Sequence, residues 1–184
     1  MAQAILKEWL APGEARSDKQ RHFIFTATTL AFYPIVGYSA YSPCKAAMRS
    51  LSDTLSQEIL LYSDSVKVHT VFPGSIDTPG FAHENIGKPG ITKILEEPDP
   101  LQSPDAVATA AISGLESGEY LITTNLLGSI MRASAWGSSV RNNWVIDNIL
   151  VCIVALVSYF ISADMNGKVR KYGKTNGHPS TFKA

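Results

Sequence analysis

The stretch Gly37-Tyr38-Ser39-Ala40-Tyr41-Ser42-Pro43-Cys44-Lys45-Ala46-Ala47 decides how this chain is read, because it sets a phenol and an ammonium four residues apart at the start of a helix. Pro43 belongs in a first helical turn, where its missing N–H costs nothing. Ala47, Leu51, Leu55 and Ile59 then recur every fourth residue, which predicts a helix from Ser42 to about Tyr62 with that stripe turned to the core. Tyr41 and Lys45 share one face of it. A phenol ionises near pH 10 and donates a proton slowly at neutral pH. A positive charge one turn away stabilises the phenolate and lowers that value, so the pair has the makings of a general acid.

Working outward, Thr28 lies 13 residues before Tyr41, just after the apolar run His22-Phe23-Ile24-Phe25. That is where a strand ends and a loop begins. A second apolar run, Val66 to Phe72, leads directly into Pro73-Gly74-Ser75-Ile76-Asp77-Thr78. Strands are expected at 22–27, 66–72 and 119–123. Ala4, Ile5, Leu6, Trp9 and Leu10 recur at near-helical spacing, with a polar loop over residues 11–21 after them. Ser103-Pro104 is a helix start, a capping serine before a proline at the first position, for a helix to about Leu115. The segment 82–103, rich in Gly, Pro and charge, reads as a loop.

Strand, hydroxyl, Tyr-x-x-x-Lys helix, strand and Pro-Gly loop, in that order, resemble the C-terminal half of the short-chain dehydrogenase/reductase family. The resemblance implies an α/β fold, the C-terminal part of a Rossmann-like doubly wound parallel sheet. It also implies roles. Tyr41 protonates a carbonyl oxygen, Lys45 assists it and bonds the nicotinamide ribose, and Thr28 stands where the family usually carries a serine to hold that oxygen. Tyr41, Lys45, Pro73, Gly74, Ile76 and Thr78 would contact the cofactor, with the Thr78 hydroxyl meeting the nicotinamide carboxamide. Threonine keeps the donor but adds a methyl and stiffens χ1.

The string Thr78-Pro79-Gly80-Phe81-Ala82-His83-Glu84-Asn85-Ile86-Gly87-Lys88-Pro89 resembles the branch of the family that reduces long-chain keto-sphingoids. That implies NADPH as cofactor, a long-chain 3-keto amino alcohol as substrate, and the endoplasmic reticulum membrane as location, with the catalytic part facing the cytosol. By analogy the partner set includes a second copy of the chain, a homodimer through the Tyr41 helix. Two alternatives stay open: a steroid or retinoid reductase of the same family, and a non-catalytic membrane-associated fragment or interaction module.

The 184 residues carry 16 basic and 16 acidic side chains, and zero formal net charge argues against nucleic acid as a partner. Four scattered histidines and two cysteines show no metal-ligand spacing, so no metal is expected. No glycine-rich phosphate turn precedes Tyr41, and the chain resembles a truncated reductase: residues 1–142 as a partial domain lacking the glycine-rich cofactor half. Such a chain is expected to bind NADPH weakly. Residues 143–166 read as a membrane-associated segment, and 167–184 as a basic polar tail. The charge-free run Ile149 to Ile161 spans about 20 Å as a helix, short of a bilayer core of about 30 Å. Spanning would carry Asp147 and Asn148 into lipid. Basic residues on both sides (Arg132 and Arg141; Lys168, Arg170, Lys171 and Lys174) with Trp136, Trp144 and Tyr159 predict a helix or hairpin embedded from one face. A buried core helix is the soluble alternative.

Overall fold

The computed structural model describes residues 2–11, 19–135 and 142–176; the polar loop at 12–18, Trp136, Arg141 and the tail from 177 onward lie outside the described residues. The elements in chain order are α1 (Ala2–Trp9), β1 (Arg21–Thr26), α2 (Tyr41–Ile59), β2 (Val66–Phe72), α3 (Pro79–Gly87), α4 (Gly90–Glu96), α5 (Pro104–Glu116), β3 (Leu121–Thr123), α6 (Leu126–Ser134) and α7 (Trp144–Asn176). The three strands form one parallel sheet in the order β1-β2-β3. Arg21 to Thr26 pair with Val66 to Val71, and Thr70 to Phe72 with Leu121 to Thr123. Helical crossovers connect the strands, as parallel pairing requires. The strand expectations at 22–27 and 66–72 agree to within a residue, and the third strand is shorter than expected.

The central strand β2 is buried at every position except Lys67, which is why it reads as a continuous apolar run rather than an alternating one. Leu6, Ile59, Val66 and Val68 form one core cluster, joined by Trp9, Phe23, Phe25 and Leu55. Ala27, Phe72 and Leu121 form a second at the carboxyl ends of the strands, with Phe32 stacked on Phe72 at 4.2 Å between ring centroids. This second cluster is the support of the site described below. Beside the first, His22 and His69 on adjacent strands share a hydrogen bond of 2.9 Å between Nδ1 and Nε2. His69 Nδ1–H donates to the Glu119 carbonyl at 2.7 Å, so its Nε2 accepts from His22.

Two expectations are corrected. The first concerns the face that α2 buries. Ala47 is exposed and Leu51 is 47% exposed; the buried positions are Ser42, Ser52 and Ile59. The cause is the polar surface beneath: Thr70 Oγ1 in β2 donates to Ser52 Oγ at 2.7 Å, and the Tyr120 hydroxyl donates to Asp53 at 2.7 Å. Buried hydroxyls demand partners, and the serine face supplies them. The second concerns residues 82–103, which are largely helical. Thr78 caps α3 by accepting from Phe81 N at 3.1 Å, with Pro79 in the first turn, and Pro89 separates α3 from α4. Pro79 and Pro89 mark helix starts rather than loop, whereas Pro98 and Pro100 follow the end of α4.

Helix α7 is unbroken over 33 residues, about 50 Å, which excludes the hairpin alternative. Its first turn is capped by Asn143 Oδ1, which accepts from Val145 N and Ile146 N. Asp147, Val151 and Val154 are buried, on one stripe, and α7 packs along α6. Asp147 therefore faces protein: its carboxylate meets Arg132 at 3.4 Å, and Arg132 also donates to the Leu121 carbonyl at 2.9 Å. Trp144, Val145, Ile146, Ile149, Ile153, Leu156, Val157, Tyr159, Phe160 and Ile161 are exposed, with Leu156 at 75% and Phe160 at 70%. Near its far end Tyr172 lies against α4, so close to Gly90 that a Cβ there would come within 2.6 Å of the Tyr172 hydroxyl oxygen.

Candidate active site

A cavity of about 540 Å³ opens at the carboxyl ends of β1 and β2, the edge where parallel α/β sheets bind their ligands. Thr28, Tyr41, Lys45, Pro73, Gly74, Ile76 and Thr78 all line it, so the structure brings the whole set of expected site residues to one place. Each arrives by a local cause. Thr28 follows β1 with extended backbone and leads into a short 3-10 turn over Thr29–Ala31. The loop carrying Tyr38 turns at Gly37, whose φ of 98° and tight approach to Thr92 exclude a side chain. Tyr41 opens α2. Pro73 and Gly74 leave β2 where a Cβ on Gly74 would come within 2.8 Å of Asp99 Oδ1, and Ser75 N donates to Asp99 Oδ2 at 2.7 Å.

Thr28 is 8% exposed; its hydroxyl donates to the Pro73 carbonyl at 3.3 Å and lies close enough to the Tyr41 hydroxyl to favour its ionised form. Lys45 Nζ reaches the Thr26 carbonyl at 3.5 Å and sits 5.5 Å from the centroid of the Tyr41 ring. The ammonium therefore lies over the ring rather than at the oxygen. Partial burial raises the Tyr41 pKa above its ordinary 10.0, the Thr28 hydroxyl pulls it back, and the Glu84 charge adds to the rise. The net shift is upward rather than the expected lowering, because in this arrangement desolvation is the largest influence on the phenol.

Thr78 caps α3 with its oxygen, and among the described residues its hydroxyl hydrogen has no acceptor. Ile76 is fixed by a parallel bridge to Gln102, with Asp77 N donating to the Gln102 carbonyl at 2.8 Å. Among the described residues no group of three metal-ligating side chains occurs.

Sequence reasoning passed over the other wall. Tyr38 donates from its hydroxyl to Glu84 at 2.7 Å and is also bonded to Glu96. Lys88 bridges the same carboxylates, 3.0 Å from Glu84 and 2.7 Å from Glu96, with its side chain only 3% exposed. Its ammonium lies 4.8 Å from the Phe81 ring centroid. The ordinary helical spacing of Glu84 and Lys88 was the available signal. Burial and two carboxylates push the Tyr38 hydroxyl far above 10.0, so it is a fixed donor. Leu127, Ile130 and Met131 of α6 and Val154, Ile161 and Met165 of α7 complete an apolar side. Asn125 caps the start of α6 by accepting from Gly128 N at 2.7 Å.

Residues 1–88 match the family model for short chain dehydrogenases. With the relatives that follow, this makes the chain similar to the short-chain dehydrogenase/reductase family, whose Rossmann-like fold with a parallel sheet it shares. Its curated relatives include a 3-ketodihydrosphingosine reductase of Neurospora crassa, 44% identical over 98% of this chain and 51% of the relative. A 3-ketodihydrosphingosine reductase of Aspergillus fumigatus is 46% identical over 98% of this chain and 53% of its own length. The chain thus spans about half the length of the curated relatives it matches. A solved short chain dehydrogenase of Burkholderia cenocepacia, in complex with NADP, shares the fold with a TM-score of 0.55 over 73% of this chain and 49% of that one, at 19% identity.

Proposed function

We propose that the chain carries the catalytic residues of an NADPH-dependent 3-ketodihydrosphingosine reductase of sphingolipid synthesis. The supporting observation is the convergence of the Tyr41 and Thr28 hydroxyls and the Lys45 ammonium on one apolar-walled cavity at the strand ends. The identity to two reductases of that name agrees with it.

The donors present suit a nicotinamide cofactor. Among the described residues Lys45 makes one long bond, at 3.5 Å, and has hydrogens to spare for ribose hydroxyls. Thr78, among the same residues, has a free hydroxyl hydrogen for a carboxamide, beside Pro73, Gly74 and Ile76. NADPH, when bound, supplies the hydride that reaches the carbonyl carbon. The residues of the chain do the rest. Tyr41, held protonated at neutral pH by burial, gives its proton to the carbonyl oxygen. Thr28 holds that oxygen by turning its hydroxyl hydrogen to it from the Pro73 carbonyl. Lys45, across the ring, offsets the phenolate charge that remains.

In this proposal residues 1–142 are the catalytic portion, 143–166 associate with the endoplasmic reticulum membrane with the catalytic part facing the cytosol, and 167–184 form a basic tail. The exposed apolar surface of α7 and the cations Lys168, Arg170 and Lys171 after it support that placement. Ala47 and Leu51, left exposed on α2, support a homodimer.

The test joins this chain to the part of the Aspergillus fumigatus relative that it does not cover and follows conversion of 3-ketodihydrosphingosine to dihydrosphingosine with NADPH. The expected result is turnover with Tyr41 present. Absence of turnover in a fusion that binds NADPH and folds would return the chain to a membrane-associated module.

A further inference from the structure

Resting on the reading above, the geometry points to Glu84 as the group that recognises the protonated amine of the substrate, and so makes the cavity selective for amino ketones over plain ketones. The cavity has carboxylates from four residues on its wall: Glu84, Glu96, Asp99 and Asp164. Three are committed. Asp99 accepts from Ser75 N and Asn125, Asp164 pairs with Lys168 at 2.8 Å, and Glu96 is largely buried between Tyr38 and Lys88.

Glu84 differs from all three. Its side chain is 49% exposed; Oε1 accepts from both Tyr38 and Lys88, while Oε2 carries no hydrogen bond among the described residues. One oxygen is anchored and the other is left for a ligand. Lys88 gives one positive charge to a wall with two carboxylates, so the Tyr38, Glu84, Lys88 and Glu96 group carries a net charge of about −1 for a ligand to complement. Burial pushes the Glu84 carboxyl up, but the hydrogen bonds from Tyr38 and Lys88 and the Lys88 charge more than reverse this, so it is ionised at neutral pH.

Its position fits the substrate's chemistry. Glu84 lines the same cavity as Tyr41, the group assigned to the carbonyl oxygen, and is held by Tyr38, whose ring lies 5.5 Å from that of Tyr41 between centroids. In a 3-keto sphingoid the amine-bearing carbon is bonded directly to the carbonyl carbon, so an ammonium lies beside the carbonyl oxygen and within reach of a carboxylate near Tyr41. The apolar residues Ile94, Leu95, Leu127, Ile130 and Met131 line the same cavity and suit the hydrocarbon tail.

The test measures binding of dihydrosphingosine and of its N-acetyl derivative to this chain in detergent by isothermal titration, with the wild type, Glu84→Gln and Asp164→Asn. Glu84→Gln keeps the acceptor for Tyr38 while removing the charge. The expected result is that the free amine binds wild type about 10- to 100-fold more tightly than the amide, the range for a charge-assisted hydrogen bond. Glu84→Gln should abolish that preference, while Asp164→Asn leaves it intact. Equal binding of amine and amide to wild type, or a preference that survives in a folded Glu84→Gln, overturns the role of Glu84 and leaves the keto-sphingoid reading standing. Binding of neither lipid overturns that reading and this inference together.

Discussion

The floor of the cavity is a hydrogen-bonded sheet, whereas its roof is a pair of helices pinned by charge. Thr28 and Pro73 extend strands paired from Arg21 to Thr26 on Val66 to Val71, above a fully buried Phe72. Over them α3 buries no residue and α4 buries only Ile91 and Thr92, so the Lys88 bridge between Glu84 and Glu96 does much of the holding. Elements with few buried apolar contacts open at lower free energy than core strands. The Thr28 hydroxyl thus sits on the part of the molecule that opens last, with Tyr41 beside it at the start of α2, beneath a cover that can open without them. Four measurements sharpen or break this contrast.

The largest effect is expected on the floor. Tyr41→Phe keeps the ring but removes the proton, and turnover in the fused enzyme should fall by about 100- to 10,000-fold. NADPH affinity and thermal stability should change little, because Tyr41 is 41% exposed and the ring still packs on Tyr38. Turnover near the wild-type rate would remove Tyr41 from its assigned role.

The next concerns the roof. Lys88→Met removes one partner of a buried ion cluster and leaves two carboxylates facing Tyr38, a change that costs about 3–5 kcal/mol in comparable settings. Native-state hydrogen exchange should show α3 and α4 losing about a hundred-fold or more in protection while β2 amides keep theirs. Equal losses in β2 would show that floor and roof open as one unit.

A smaller effect separates the two sides of α7. Leu156→Asp and Phe160→Asp alter side chains that are mostly exposed, so the soluble fold should tolerate them. Each should nevertheless weaken partitioning into anionic vesicles by about tenfold or more, since burying such a side chain is worth roughly 1.5–3 kcal/mol. Unchanged sedimentation with vesicles would show that this surface meets something other than lipid.

The same division governs what can be read from the sequence. Thr28, Tyr41 and Lys45 were legible because each is tied to a local element, a strand end or a helical turn, and Thr78 through the Pro-Gly loop that carries the family resemblance. The buried face of α2 was not, because Ser52 is chosen by Thr70 and Tyr120, far along the chain, and apolar periodicity is blind to a polar partner. The Tyr38 cluster escaped for the same reason, its three carriers lying on the loop before α2 and on two roof helices. Asp147 looked like a cost to a helix in lipid; its pairing with Arg132 depends on how α7 packs on α6, which no spacing within α7 encodes.

The smallest effect uses pH to loosen floor and roof separately. His69, 5% exposed in β2, has its pKa lowered below the ordinary 6.5 by burial, helped by the neighbouring His22 and Lys67 charges and opposed by its bond to the Glu119 carbonyl. The folded chain thus takes up a proton there less readily than the unfolded chain. Its contribution is complete above pH 6.5 and is lost as pH falls through the lowered value. Glu84 in the roof also has a lowered value, from an ordinary 4.5, so its contribution persists until the pH drops below about that figure. Between pH 6.5 and 5, therefore, exchange in β1 and β2 should quicken while the Glu84 clamp on α3 and α4 is unaffected. The melting temperature should fall over the same interval, by about 2–4 °C per kcal/mol for a chain of this size. In His69→Leu, which cannot take up the proton, that slope should flatten. A wild-type slope that survives in His69→Leu would assign the acid sensitivity to another group and leave the two halves of the cavity with a common response to pH.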